Sequence, residues 1–546
     1  MIQTTLCVPL EVQPESAARL SALIEEFKQA EDKPHPEAEN FARLIKGLPA
    51  LHFMSLSVFE DTSYDPIFII EANFDGPATP FWAALEDLVG DTLRDMLRCC
   101  KAPLDNDEAL YRTVTAEGSR APVAAYLEAR TQAPSVFHHG NRGLTRDRIL
   151  KEAKLFRAIR EELDKPENQG PEPYRGHKPQ AFREALRERM ATAHPWLNEE
   201  AAERVPTQQR LGDFWRLLLF MTQVLFVLTL PGIIAAALLP TPIYVGGILV
   251  LAAAAIVFIA VLRKPLPNTD VKTDFNLVGF LVKNLKTIAL VVVPPLIVLV
   301  AVGVAVVFVL DLLTGLVPGD LGDWMWPVAR TILLGLLGLV FVLPGLVLWL
   351  RYLEKRDSSQ DEPPIDPDVV AEMARTEDWV SQNHMGSIVH IRPGVLRTTV
   401  VKAGHRGLGL LLRVKATDGY LGSMRTVHFA HWAFLNNSSR LLFFSNFDQS
   451  WGSYLDDFIE KAHVGLTLAW GCGVGFPPTR FLIYDGASHG RRFKNWALSS
   501  RAVSRFWYSA YPDLTVDQIE RNYRVAQGLR RTEMDSDEIV SWMRDL

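Results

Sequence analysis

The chain has 546 residues, of which 48% are hydrophobic, with 57 Lys+Arg against 63 Asp+Glu and a mean hydropathy of +0.07. That length exceeds a single domain, and a formal charge of −6 provides no basic field for nucleic acid. The four cysteines (Cys7, Cys99, Cys100, Cys472) form no C-x-x-C pair, which excludes a disulfide framework and suits reduced thiols in the cytosol.

The start of the chain lacks the basic residues and long apolar run of a signal peptide. Residues 3–8 alternate and predict a strand. Residues 14–28 place Ala17, Leu20, Leu23, Ile24 and Phe27 at helical spacing. Residues 52–59 and 67–73 predict two strands joined by a polar turn, and 81–97 an amphipathic helix. A strand near 135–138 and a helix over 145–162 follow. The order strand-helix-strand-strand-helix predicts a ferredoxin-like α+β unit over 1–160. Residues 161–213 read as a charged, partly helical linker.

Four apolar runs follow, at 214–238, 242–262, 288–312 and 326–350. Each approaches or exceeds the roughly 20 residues that cross a bilayer, which places a four-helix membrane block at 214–352. Basic residues flank the runs: Arg210 and Arg216, then Arg263, Lys264, Lys272, Lys283 and Lys286, then Arg351, Lys355 and Arg356. The two hairpin tips carry none, although Arg330 lies just inside the last run. With four crossings the positive-inside rule puts both termini, both soluble modules and Thr273 in the cytoplasm, with Gly319 outside an inner or plasma membrane. No run carries a charge near its middle, which argues for an anchor and against an ion or proton transporter.

Residues 353–384 read as a linker, extended where Asp, Ser and Pro crowd together. In the module 385–531, strands are predicted at 388–391, 426–435, 441–445, 481–484 and 503–509. Helices are predicted at 454–469 and 516–527, and 532–546 reads as a tail. This module repeats the first. Leu51-His52-Phe53, Asn73-Phe74-Asp75 and Leu144-Thr145 return as Val427-His428-Phe429, Asn446-Phe447-Asp448 and Leu514-Thr515. A repeat of this length is one folded unit used twice.

The copies carry opposite charge. Residues 1–130 hold 11 Lys+Arg against 22 Asp+Glu, and residues 385–531 hold 19 against 9. Complementary fields favour docking of one copy on the other. The predicted fold is therefore α+β with transmembrane helices: two ferredoxin-like modules paired as an intramolecular α/β barrel, with the membrane block inserted between them.

The duplicated module resembles the dimeric α/β-barrel superfamily, which includes dye-decolourising peroxidases, chlorite dismutases and small haem- or quinone-handling monooxygenases. The chain is also similar to a family of uncharacterised membrane proteins with sequences near HFAHW…RLLFFSNFD…SYLDDFI…WYSAYPDLT. Ala72-Asn73-Phe74-Asp75-Gly76 resembles the G-x-x-D-G motif of dye-decolourising peroxidases, with Ala in place of the first Gly. That resemblance implies haem as cofactor, Asp75 and Arg157 as catalytic groups, and His138 or His139 as the haem ligand, His139 being the candidate for the metal. In the second copy Tyr508 and Ser509 replace the two histidines. A strand end running into a polar loop is the alternative for that pair.

His52 and His428 occupy equivalent positions and are candidates either for ligand binding or for a hydrogen bond that serves the fold. Asp75 and Asp448 also suit capping of the following helix. Gly471–Gly475 lacks the Lys-Ser/Thr of a phosphate loop and reads as a connector. Trp432, Trp451, Trp470, Trp496, Trp507, Tyr508 and Tyr511 suit either a core or an apolar pocket. Residues 397–415 mix Val and Leu with Lys and Arg, which suits an anionic leaflet or a surface helix. The leading functional expectation is a membrane-anchored cytoplasmic binding or sensory module, its barrel holding a small apolar or haem-like ligand. The second is a haem peroxidase-like oxidoreductase acting on peroxide or lipid-derived substrates. The expected partner is the lipid bilayer, with no nucleic acid.

Overall fold

A computed structural model describes residues 3–32, 40–61, 64–165, 174, 177–199, 203–262, 285–315, 321–357, 364–377, 380–415, 424–482 and 484–546. The first copy runs β1 (Gln3–Glu11), α1 (Ala17–Glu31), α2 (Ala42–Gly47), β2 (Leu51–Phe59), β3 (Ile67–Asp75), α3 (Ala78–Leu97), α4 (Glu108–Thr115), α5 (Val123–Ala129), β4 (Val136–His139) and α6 (Arg146–Leu163). After the linker helix α7 (Pro179–Ala193) come α8 (Thr207–Leu238), α9 (Thr241–Leu262), α10 (Leu285–Thr314), α11 (Leu321–Leu337) and α12 (Leu339–Lys355). The second copy runs α13 (Pro367–Thr376), β5 (Gln382–His390), α14 (Val395–Lys415), β6 (Val427–Leu435), β7 (Arg440–Asp448) and α15 (Trp451–Trp470). It continues through β8 (Thr479–Arg480), β9 (Tyr484–Asp485), α16 (Gly490–Ser499), β10 (Arg501–Ala502), β11 (Phe506–Ser509), α17 (Val516–Arg530) and α18 (Ser536–Met543).

The strands form two main sheets, β1-β3-β2-β11 and β10-β5-β7-β6-β4, and β8 and β9 pair as a small separate ribbon. Each main sheet ends on a strand from the other copy. β11 pairs antiparallel with β2, Tyr508 opposite Met54. β4 pairs antiparallel with β6, His138 opposite Ala430. The exchange is reciprocal, and the same backbone bond closes both joints: Ala510 N–H donates to the His52 carbonyl at 2.9 Å, and Gly140 N–H to the His428 carbonyl at 2.6 Å. Among the described residues no strand pair joins one main sheet to the other, so they do not close into a barrel.

The alternation along β3 explains its burial on both faces. Phe68, Ile70, Ala72 and Phe74 face the helices of the first copy, while Ile67, Ile69 and Cys7 pack on Ala433, Leu435, Leu442 and Phe444 of the second sheet. A strand enclosed on two faces reads as a continuous apolar run. The duplication extends to fine detail. Both β2 and β6 shift register around their histidine. Phe74 stacks on Phe81 at 3.9 Å, and Phe447 on Tyr454 at 4.0 Å. The helices after β3 and β7 both break at the same repeat position, Val89 (φ −139°, ψ 20°) and Ala462 (φ −140°, ψ 16°).

Two local expectations give way. Phe481 and Leu482 lie at φ 61° and 55°, a left-handed turn that excludes the strand expected at 481–484. The segments read as linker and tail also do not hang free. Phe182, Leu186 and Met190 of α7 join Ile539 and Trp542 of α18, with Leu155, Ile159, Val525 and Leu529, in a third apolar cluster.

Among the described residues three helices are long and apolar enough to cross a membrane: Thr207–Leu238, Val292–Thr314 and Met325–Lys355, the last spanning the junction of α11 and α12. The apolar helix Thr241–Val257 is shorter. The Lys and Arg between the second and third runs, apart from Lys286, lie outside the described residues, as do Thr273 and Gly319. Three glycines bring α8 against the α11–α12 junction. A Cβ on Gly232 would stand 2.3 Å from the Gly335 carbonyl, and one on Gly338 would stand 2.5 Å from the Gly232 Cα. Such close backbone approach is how small residues pack membrane helices. Gly338→Val is therefore expected to lower the thermal stability of the detergent-purified chain by about 1–3 kcal/mol. Gly345→Val, where a Cβ meets nothing within 4 Å, serves as the control and should unfold with the wild type.

Candidate functional site

The two repeated histidines are buried braces. His52 Nε2 lies 3.1 Å from Asp75 Oδ2, and its Nδ1 lies 2.9 Å from the Tyr511 hydroxyl of the other copy. His428 Nε2 lies 2.8 Å from Asp448 Oδ1. Each aspartate also accepts the first N–H of a helix: Arg146 N–H to Asp75 and Val516 N–H to Asp448, both at 2.8 Å. The aspartates do cap helices, but the helices are α6 and α17, which follow the exchanged strands, rather than α3 and α15. A carboxylate there satisfies an orphan donor and complements the helix dipole. His52 and His428 thus tie the start of one strand to the end of its neighbour.

Of the remaining haem candidates Arg157 stands apart, whereas His139 shares the Phe429 ring with His52, at 4.9 and 5.3 Å between ring centroids. His138 and His139 are buried and end β4, which runs on into the turn at 140–143, as the alternative reading had it. Successive strand residues face opposite ways. Burial pushes the His138 imidazole down to about 3, and its Nε2 has no hydrogen-bond partner. His139 Nε2 lies 2.9 Å from Thr5 Oγ1. Burial first, then the neighbouring His138 and Arg142, hold His139 well below its ordinary range. Asp75 is engaged by His52 and α6, while Arg157 is exposed on α6. Arg157 lies eleven residues from Arg146, about 16 Å along the helix. Among the described residues no group of three His, Cys, Asp or Glu could hold a metal ion.

A polar centre lies where the sheets face each other. Glu71, on β3, is 1% exposed. Its carboxylate accepts from Ser55 Oγ at 2.8 Å and Asn73 Nδ2 at 2.9 Å within its own copy. From the second copy His384 Nε2 lies at 3.0 Å, Asn446 Nδ2 at 3.5 Å and His431 Nδ1 at 3.7 Å. Burial alone would raise this carboxyl. The hydrogen bond and charge of His384, with His431 and Asn73, outweigh it and bring Glu71 down to about 2. Burial lowers His431 to about 4 against the pull of Glu71. His384 Nδ1 also meets Ser504 Oγ at 2.7 Å, and Trp507 Nε1 donates to Asn446 Oδ1 at 2.8 Å. The repeat hides this centre, because the second copy has Phe444 where the first has Glu71. The available signal was one charge inside the apolar run Ile67–Asp75.

A cavity of about 610 Å³ opens where the soluble part meets α8. Its walls come from β1, the segment entering and leaving β4, the end of the linker, the base of α8 and the end of α14. Four arginines line it (Arg142, Arg204, Arg216 and Arg413) with one carboxylate, Asp213. Asp213 is paired with Arg142 at 2.6 Å. Arg204 is held by Glu520 at 2.6 Å. Arg413 lies over the Phe137 ring at 4.6 Å, and burial lowers its guanidinium from its ordinary value despite nearby Asp213. Arg216 keeps 66% of its side chain exposed and stands 3.7 Å from Asp213. His139 and Thr5 form part of the wall. Of the candidate catalytic, cofactor and metal residues proposed from sequence, His139 alone is among those that line this cavity. Arg216 reads in the sequence as a flank charge, Arg413 as part of the basic stretch 397–415, Arg142 as a loop residue and Arg204 as part of the linker; nothing local joins the four.

Helix α14, expected on the leaflet or the surface, packs along α8. Its Gly407 meets Phe220, and Arg406 stacks over the same ring at 5.5 Å. Compared with protein-family models, curated proteins and solved structures, the chain matches none.

Proposed function

We propose that the chain is a membrane-anchored binding module whose ligand is anionic, carrying a phosphate or carboxylate. The observation that supports this is the junction cavity, where four arginines face a single carboxylate already used by Arg142. Arginine presents a planar fork of donors suited to such oxyanions. The space between the sheets offers a weaker case for an apolar ligand, because Cys7, Ile69, Leu442 and Phe444 fill it. The two ferredoxin-like copies then act as one entwined body that presents the cavity at the membrane.

Four crossings, with both copies on the cytoplasmic side, fit this reading. Reciprocal strand pairing needs both copies on one side, hence an even number of crossings, and α9 supplies the fourth. At 22 residues it is about 33 Å long. A cysteine placed at 319 should be labelled from outside and one placed at 273 should not. The reverse pattern rejects this sidedness.

The binding test uses inorganic pyrophosphate as probe on the detergent-purified full chain. It should raise the thermal midpoint of the wild type and have a clearly smaller effect on R216Q/R413Q. An equal shift in both, or none in either, rejects the anion site. An absorption spectrum of the same preparation addresses the haem peroxidase-like reading with His138 or His139 as ligand: a Soret band lost in H138A/H139A would favour that reading instead.

A further inference from the structure

We infer that the anion is the headgroup of a phospholipid whose acyl chains lie along α8; this rests on the anion-site reading above. Two independent features converge. The first is the cavity with its arginines. The second is an exposed stripe, apolar except for Gln223, that begins at the cavity and runs up the same helix. Gly212 and Arg216 line the cavity. Steps of three and four residues from Arg216 lead to Leu219, Gln223, Val227, Leu230 and Ile234, so these side chains stand above one another on one face. Leu219 is 51% exposed, Val227 65%, Leu230 36% and Ile234 50%.

The level of the bilayer surface agrees with this arrangement. Phe214 and Trp215 are about half exposed beside Arg216. Trp349 and Tyr352 are likewise exposed near the end of α12, where the chain returns to the soluble part. Aromatic side chains of this kind gather at the headgroup level. A phosphate bound by Arg216 and Arg413 would therefore sit at headgroup depth, with its hydrocarbon against Leu219 and beyond. Asp213 fixes Arg142 and approaches Arg216, leaving Arg413, which makes no ion pair among the described residues, for the ligand. A soluble phosphate compound has the same headgroup chemistry but no use for the stripe.

The test is lipid retention by the full chain. The protein is incubated with mixed vesicles of phosphatidylglycerol and phosphatidylcholine, extracted in mild detergent, and read by native mass spectrometry. The wild type should retain phosphatidylglycerol over phosphatidylcholine. Each of R216Q and R413Q should lower that retention by about fivefold. L219Q should lower lipid retention while leaving the thermal shift from soluble glycerol phosphate unchanged. Equal retention of both lipids overturns the inference. So does glycerol phosphate binding with retention unaffected by L219Q, although the anion-site reading then survives. If neither phosphatidylglycerol nor glycerol phosphate binds, both readings fall.

Discussion

Glu71→Ala is expected to loosen the two copies from one another and lower the stability of the soluble part by about 3–5 kcal/mol, because several buried donors lose their acceptor at about 1–3 kcal/mol each. The carboxylate accepts from residues of both copies, including His384 at 3.0 Å and Ser55 at 2.8 Å. Removing it leaves those donors buried without an acceptor, the costly case for hydrogen bonds. Glu71→Gln keeps one acceptor oxygen and should lose less, about 1–3 kcal/mol. Urea unfolding of the detergent-purified chain, followed by protease sensitivity, reads the difference. If the alanine variant unfolds at the wild-type urea concentration, Glu71 does not hold the sheets together.

Acid should destabilise the fold well before its carboxylates are protonated. Burial holds His138 at about 3 and His431 at about 4, with His139 lower than its ordinary range as well; His405 of α14, buried between Ser135 Oγ and the Ala469 carbonyl, is likewise held at about 4. The unfolded chain takes up these protons near pH 6.5, but the folded chain does not until about 4 or below. The stability they contribute is therefore full above 6.5 and falls as pH drops toward 4, by roughly 1.4 kcal/mol per unit for each imidazole. Glu71, lowered from 4.5 to about 2, acts in the same direction but only between those values. Urea midpoints at pH 7.5, 6 and 5 should fall in that order, and a flat or rising series would refute the assignment. His138→Phe should flatten the slope by one proton, because its Nε2 has no hydrogen bond to lose.

The repeat made much of the secondary structure legible. The strand expected at 67–73 is Ile67–Asp75, and the helix expected at 145–162 is Arg146–Leu163. The helix shows because it buries one regular face, and the strand because enclosure on both faces leaves a short continuous apolar run bounded by turn residues. The exchange of β4 and β11 was not legible. A four-residue strand such as Val136–His139 has the same pattern whichever edge it joins. The cavity escaped for a related reason, since its arginines converge only through the packing of α8 on α14. Glu71 was passed over because motif comparison favours what the copies share, and this centre is what they do not.

The strand exchange also bears on how the chain is made. Met54 meets Tyr508 and His138 meets Ala430, so neither half can finish its sheet from its own residues. The N-terminal half leaves the ribosome with the edge of β2 unpaired, and that edge stays open until the membrane helices and nearly all of the second half have been synthesised. An open edge is a template for pairing with other chains, and closing contacts this distant in sequence is slow. The first copy must therefore pass through membrane insertion as an unfinished sheet, and the interval before residues 506–509 emerge is when it is most exposed to mispairing with a second nascent chain.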